Sequence, residues 1–247
     1  MIRKRFSPAL NILCLALSLA GTGCTRKTMV AAPSASAFGS TIIESSGGKQ
    51  IGATGAMLPQ PWVVQLNDDQ GAAVAGAQVS FGASAGVSFD PASGVTDSSG
   101  QLSTSVTLGG MAGRYQLVAS AVSKTQKKIE LKTEEIALDY QSRLGRLLDD
   151  RYCSRCHDPE STPERVSNYD NLKVKPHAFT EGDTLNKMSD ADLAAIIGHG
   201  GPALNKSPLM PPYGYSLSKT EIQALIAYIR IISDPPYQAP GMVYAQK

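Results

Sequence analysis

The sequence predicts a multidomain chain, an all-β sandwich followed by an all-α domain. Three observations carry this. Short alternating runs separated by Gly, Asp, Asn and Pro continue to about residue 137, helical spacing replaces them beyond it, and a Cys-x-x-Cys-His set closes the first helical stretch. At 247 residues and 42% hydrophobic, the chain has apolar material for two cores. Its 23 Lys and Arg against 21 Asp and Glu give no basic field of the kind that attracts nucleic acid. No nucleic-acid recognition motif appears, so no such partner is expected.

Residues 1–23 read as a signal peptide. Arg3, Lys4 and Arg5 precede an apolar run over residues 6–20, and Gly21-Thr22-Gly23 supplies the small residues of a cleavage site. The run is too short to span a bilayer comfortably, and no later stretch approaches the about 20 apolar residues that a membrane helix needs. Without the leader the chain counts 20 basic against 21 acidic residues, close to neutral. Cys24 resembles the lipobox cysteine of bacterial lipoproteins, with Gly21 where such motifs usually carry Leu. That resemblance implies a lipid on Cys24 and attachment to a membrane; the alternative is an ordinary leader with an incidental Cys. Residues 24–40, rich in Ser, Ala and Thr, read as a flexible tether.

Residues 41–137 are expected to form the sandwich. Trp62-Val63-Val64-Gln65-Leu66, Gln78-Val79-Ser80-Phe81 and residues 102–108 and 115–121 have strand composition. In the third run Leu102, Thr104, Val106 and Leu108 take one face, and Ser103, Ser105 and Thr107 the other. Asn67-Asp68-Asp69-Gln70-Gly71 with Val74, Gly76, Val79 and Phe81, then Thr96-Asp97-Ser98-Ser99-Gly100 and Gly113-Arg114-Tyr115, resemble the bacterial Ig-like repeats of invasin and intimin. The resemblance implies a fold, and a role as spacer or adhesive stalk. Asp68, Asp69, Asp90 and Asp97 could suggest calcium, but Asp is a common turn residue and turns are the expectation.

Residues 138–247 are expected to be helical. Tyr140, Leu144, Leu147, Leu148 and Tyr152 fall at helical spacing, giving an amphipathic helix that runs into Cys153. Gly145 in its interior costs about 1 kcal/mol relative to Ala, which suggests close approach by another backbone. Ser189 caps a second helix carrying Leu193, Ile196 and Ile197. Ser218-Lys219-Thr220-Glu221 is a capping box ahead of Ile222, Leu225, Ile226, Ile229 and Ile232, and Asp234-Pro235-Pro236 stops that helix.

Cys153-Ser154-Arg155-Cys156-His157 reads, in an exported chain, as the attachment site of a c-type haem. Thiols three positions apart can reach the two vinyl groups on one porphyrin edge, and the next His is delivered beneath the iron as an axial ligand. A zinc site with two Cys and two His, or a redox dithiol, is the alternative. Of the four Cys, Cys14 lies in the leader, Cys24 is the candidate lipid site and Cys153 with Cys156 would be bound to the haem, so no pair is left for a structural disulfide.

The helical half resembles class I c-type cytochromes over about residues 138–234. In that family an N-terminal helix leads into the Cys-x-x-Cys-His, a C-terminal helix crosses it, and a Met-bearing loop precedes the last helix. The family pairs a Gly of the first helix with an aromatic residue of the last, and Gly145 and Tyr228 stand where that pair is expected. The resemblance implies that Met210, flanked by Pro208, Pro211 and Pro212, is the sixth ligand, with core filling as the other role for this Met. His177 and His199 are expected to be surface or loop residues. The carbonyl that accepts from the axial His is left to Pro159, Pro163 or Pro176, because the family's usual Gly-Pro is absent.

The resulting expectation is an electron-transfer protein and not an enzyme. One covalent haem is held by Cys153 and Cys156 with His157 and Met210 as axial ligands, outside the cytoplasm, anchored through Cys24 and serving redox protein partners. A haem enzyme or gas sensor with an open sixth position, and an adhesive Ig-like lipoprotein with a metal site, are the competing readings.

Overall fold

Strands form where β-branched and aromatic residues alternate with polar ones, so that one face of each pleat can be buried. The computed structural model describes residues 37–84, 86–160 and 166–239. Their strands are β1 (Thr41–Ser46), β2 (Ile51–Ala53), β3 (Trp62–Asn67), β4 (Gln78–Ala83), β5 (Ser88–Asp90), β6 (Ser93–Val95), β7 (Gln101–Thr107), β8 (Gly113–Val122) and β9 (Lys128–Leu138). They make a four-stranded sheet ordered β1-β3-β7-β5 and a five-stranded sheet ordered β2-β9-β8-β4-β6. Pairing is antiparallel except between β2 and β9.

The core between the sheets is apolar. Trp62, Val64, Leu66, Val79, Val106 and Leu117 are completely buried there, and the Trp62 ring lies 5.4 Å from Phe81. The expected faces of residues 102–108 are observed, with Thr104, Val106 and Leu108 buried. The acidic turns cap themselves. Asp68 Oδ1 accepts from the amides of Gln70 and Ala72, and Asp97 Oδ1 from those of Ser99 and Gln101.

No linker separates the two halves. β9 ends at Leu138, and Asp139 is already the N-cap of α1 (Tyr140–Leu148), its carboxylate accepting from the Ser142 amide at 2.8 Å. After α1 come a π-helical segment (Asp149–Cys153), α2 (Ser154–His157), α3 (Gly182–Leu185), α4 (Asp190–His199) and α5 (Lys219–Ile232). Ser189 with Asp192 and Ser218 with Glu221 form capping boxes at α4 and α5. Among the described residues no helix is long and apolar enough to cross a membrane; the leader, Cys24 and most of the tether lie outside them.

The first helix departs from the expected stripe. Tyr140 is 86% and Leu147 66% exposed, while Ser142 and Gly145 are buried. The cause is α5. A Cβ on Gly145 would sit 2.1 Å from the Ala224 carbonyl oxygen and 2.7 Å from Tyr228 Cβ, so the two helices touch backbone to backbone and the contact face must be small. The helix also does not run straight into Cys153, because the π-helical segment shifts its phase ahead of the cysteines. The stripe of α5 is as expected, with Ile222, Leu225, Ile226, Ile229 and Ile232 all buried.

Candidate haem site

The π-helical segment and α2 place Cys153, Cys156 and His157 on one continuous helical path, with Cys153 in the apolar cluster that α5 shares. Neither cysteine is in a disulfide; Cys153 is buried and Cys156 half-buried. Burial pushes the Cys153 thiol up to about 12, with Asp149 and Cys156 adding to the shift. Burial of this kind disfavours the Cys153 thiolate, the form that attacks in thiol–disulfide exchange.

The His157 ring is held from two directions. Its Nδ1 lies 2.7 Å from the backbone carbonyl oxygen of His177, and its ring centroid 4.7 Å from that of Phe179. A carbonyl can only accept, so Nδ1 carries the proton and the Nε2 lone pair is left for a metal. Burial lowers the pKa of the imidazole, which favours the neutral form that a metal requires. The carbonyl sought among Pro159, Pro163 and Pro176 therefore belongs to the residue after Pro176; Pro163 lies outside the described residues.

Met210 packs half-buried against the same apolar cluster as Cys153. Its loop is stitched to the end of α4. The Met210 carbonyl accepts from Gly201, the Tyr213 amide donates to Ile197, and the Gly214 amide to Gly198. Gly200 has φ +82°, and a Cβ there would lie 2.8 Å from the Met210 carbonyl oxygen, so this turn needs glycine. Tyr213 then crosses back, its hydroxyl donating to the Tyr152 carbonyl at 3.0 Å, next to Cys153. That contact ties the Met loop to the cysteine helix, and neither Tyr213 nor Phe179 was singled out from the sequence. The aromatic after Pro211-Pro212 was the only local hint.

His177, His199 and two further methionines stand elsewhere. The His177 side chain faces Glu181, with Nδ1 3.0 Å from a carboxylate oxygen, and its contribution to His157 comes from its backbone. His199 is exposed at the end of α4. Met188 packs in the helical core, and Met242 lies outside the described residues. Among the described residues no group of three His, Cys, Asp or Glu could hold a metal ion.

These residues fit a c-type haem. Two unpaired thiols, a neutral His with Nε2 free and a thioether in the same apolar cluster are the donor set such a group uses, and Leu209 beside Met210 leaves apolar surface 62% exposed. When bound, the group would supply a one-electron ferric/ferrous couple.

Comparison with known proteins agrees with this part of the chain. Residues 142–229 match the family model described as cytochrome c oxidase, cbb3-type, subunit III. The sandwich half is structurally similar to the D00-D0 domain of intimin, at 17% identity and a TM-score of 0.31, over 40% of this chain and 46% of that one. It is also similar to the adhesin InvE of Yersinia pseudotuberculosis, at 17% identity and a TM-score of 0.30, over 42% of this chain and 32% of that one. The chain thus spans less than half the length of these structures. No curated protein matches it. The chain is an N-terminal β-sandwich resembling Ig-like domains followed by a helical region that matches a c-type cytochrome domain, which suggests haem-based electron transfer.

Proposed function

We propose that the chain is a membrane-anchored electron carrier with one haem, joined covalently through Cys153 and Cys156 and ligated axially by His157 and Met210. The observation that carries this reading is the His157 geometry. Nδ1 is tied to the His177 carbonyl, which sets the tautomer and directs Nε2 away from the protein hydrogen bond, as an iron ligand requires. Met210 supports the same reading through its rigid, stitched loop, because a thioether favours ferrous iron and raises the potential relative to harder donors. With both axial positions filled, no vacant site remains for a substrate, so the reading is a carrier and not an enzyme. Its partners are other redox proteins. The lipid anchor rests on Cys24 behind a basic, apolar leader.

Two measurements test it. Haem stain after denaturing electrophoresis should stay with the wild-type band and vanish from a Cys153→Ala, Cys156→Ala double variant; colour lost from the wild type would end the claim of covalent attachment. Mass spectrometry of the mature N-terminus should find a diacylglyceryl group on Cys24. A start elsewhere, or an unmodified Cys24, would leave an exported protein without an anchor.

A further inference from the structure

The sandwich and the helical region fall in one compact unit, and a continuous set of contacts leads from the sandwich to His157. Arg114 on β8 sends Nη1 to Glu134 at 2.9 Å and Nη2 to the carbonyls of Ile232 and Ser233 at 2.7 and 3.0 Å. These carbonyls end α5, where helical partners run out and a cation suits the negative end of the dipole. The next residue, Asp234, is held on both sides by the segment beside the axial His. Its amide donates to Thr180 at 2.8 Å, and its carbonyl accepts from Gly182 at 2.9 Å. Thr180 follows His177 and Phe179, the two residues in contact with the His157 ring. Phe179 also packs on the cluster of Leu138, Tyr228 and Ile232, against which Ile51 and Ile136 of the sandwich pack.

We propose that the sandwich is a positioning element for the axial His157, and that Arg114 is the positioning residue through which it acts. By fixing the end of α5, Arg114 fixes Asp234, then segment 180–182, and with it the carbonyl that accepts from His157 Nδ1. This deepens the electron-carrier reading and rests on it. A firm Nδ1–H···O=C bond makes the imidazole a more basic ligand and favours ferric iron. Loosening that bond moves the couple toward ferrous.

The test uses the full-length haem-loaded protein. Arg114→Ala should shift the redox equilibrium about threefold toward ferrous, about 28 mV at 59 mV per tenfold, and broaden the low-spin ferric resonance. Arg114→Lys keeps the charge on a single donor nitrogen and should recover part of both effects. Glu134→Gln alters only the sheet-side partner and should behave as wild type. In Arg114→Ala the amides of Gly182 and Asp234 should exchange about tenfold faster while the core amides of β3 and β8 stay protected. Exchange can also be read on a chain that carries no haem, so failure of the haem reading and failure of this one are distinguishable. Unchanged exchange overturns the proposal, and so does faster exchange with wild-type potential, because Arg114 would then only staple the domains. If Arg114→Ala does not fold, Arg114→Lys decides alone: a smaller shift in the same direction supports the proposal, and wild-type values overturn it.

Discussion

In the sandwich, six large side chains from facing strands are buried without residue between the sheets, and period-two alternation alone specifies which ones. In the helical half, α1 meets α5 through Ser142 and Gly145, the Met loop is held by backbone hydrogen bonds to α4, and Val166, Val174 and Leu209 stay exposed. In one region the two sheets close on a single apolar core; the other adds close backbone contacts to its own apolar cluster. The difference teaches where damage should appear. Removing apolar volume should unfold the sandwich, whereas adding volume at a backbone contact should unfold the helical half.

The largest effect is expected at Trp62. Trp62→Ala empties the centre of the sandwich and should destabilise it by about 4 kcal/mol, read as a drop in the strand transition by circular dichroism. A loss under 1 kcal/mol would mean that the core is less well packed than the contact with Phe81 indicates.

A pH effect separates the two regions next. Glu135 is fully buried, its carboxylate accepting from the Lys49 and Gln50 amides, and burial raises its pKa to about 7. The folded form holds this proton more tightly than the unfolded chain, so stability is full below the unfolded carboxyl pKa and falls as pH rises through the window up to about 7. The loss is at most about 3 kcal/mol at 1.36 kcal/mol per unit. The carboxylates at the helix starts work in the opposite sense. Hydrogen bonds from Ser142 and from Ser218 lower the pKa of Asp139 and Glu221, so their contribution is present above the unfolded pKa and lost on acidification. Following the single Trp for the sandwich and the haem absorbance for the helical half should show the first region gaining stability from pH 8 to pH 5 and the second losing it below about pH 4. Parallel curves would contradict this division.

Gly145→Ala should have the smallest of these effects, about 2 kcal/mol, the net of overpacking against Ala224 and about 1 kcal/mol gained in helix propensity. It should appear in the haem-monitored transition and leave the sandwich unchanged. A stabilised variant would show that α5 can move away from α1.

Features set by local pattern were legible in the sequence: the alternating strands, the Cys-x-x-Cys-His, and the caps at Ser189 and Ser218, whereas the pairing of Gly145 with Tyr228 came from the resemblance to class I c-type cytochromes. β9 was not, although it is the longest strand. Its inward face buries Glu135, and its outward face is charged at Lys128, Glu130, Lys132 and Glu134 but apolar at Ile136 and Leu138, where the sandwich meets α5. A face whose character changes with its neighbour has no readable period. The stripe of α1 misled for a related reason, since close backbone contact selects small residues and leaves Tyr140 and Leu147 outside. The carbonyl on His157 comes from 20 positions away through backbone alone, so no side-chain pattern could mark it.

The central claim, a haem with His157 and Met210 as its axial pair, is tested most directly by comparing the wild type with Met210→Ala. The ferric wild type should show the weak charge-transfer band of sulfur on iron near the red edge of the visible spectrum and should not bind carbon monoxide readily when reduced. Met210→Ala should lose the band, bind carbon monoxide and fall in potential, while Met188→Ala and Met242→Ala keep the wild-type behaviour. Ready binding of carbon monoxide by the wild type, or survival of the band in Met210→Ala, would contradict the account.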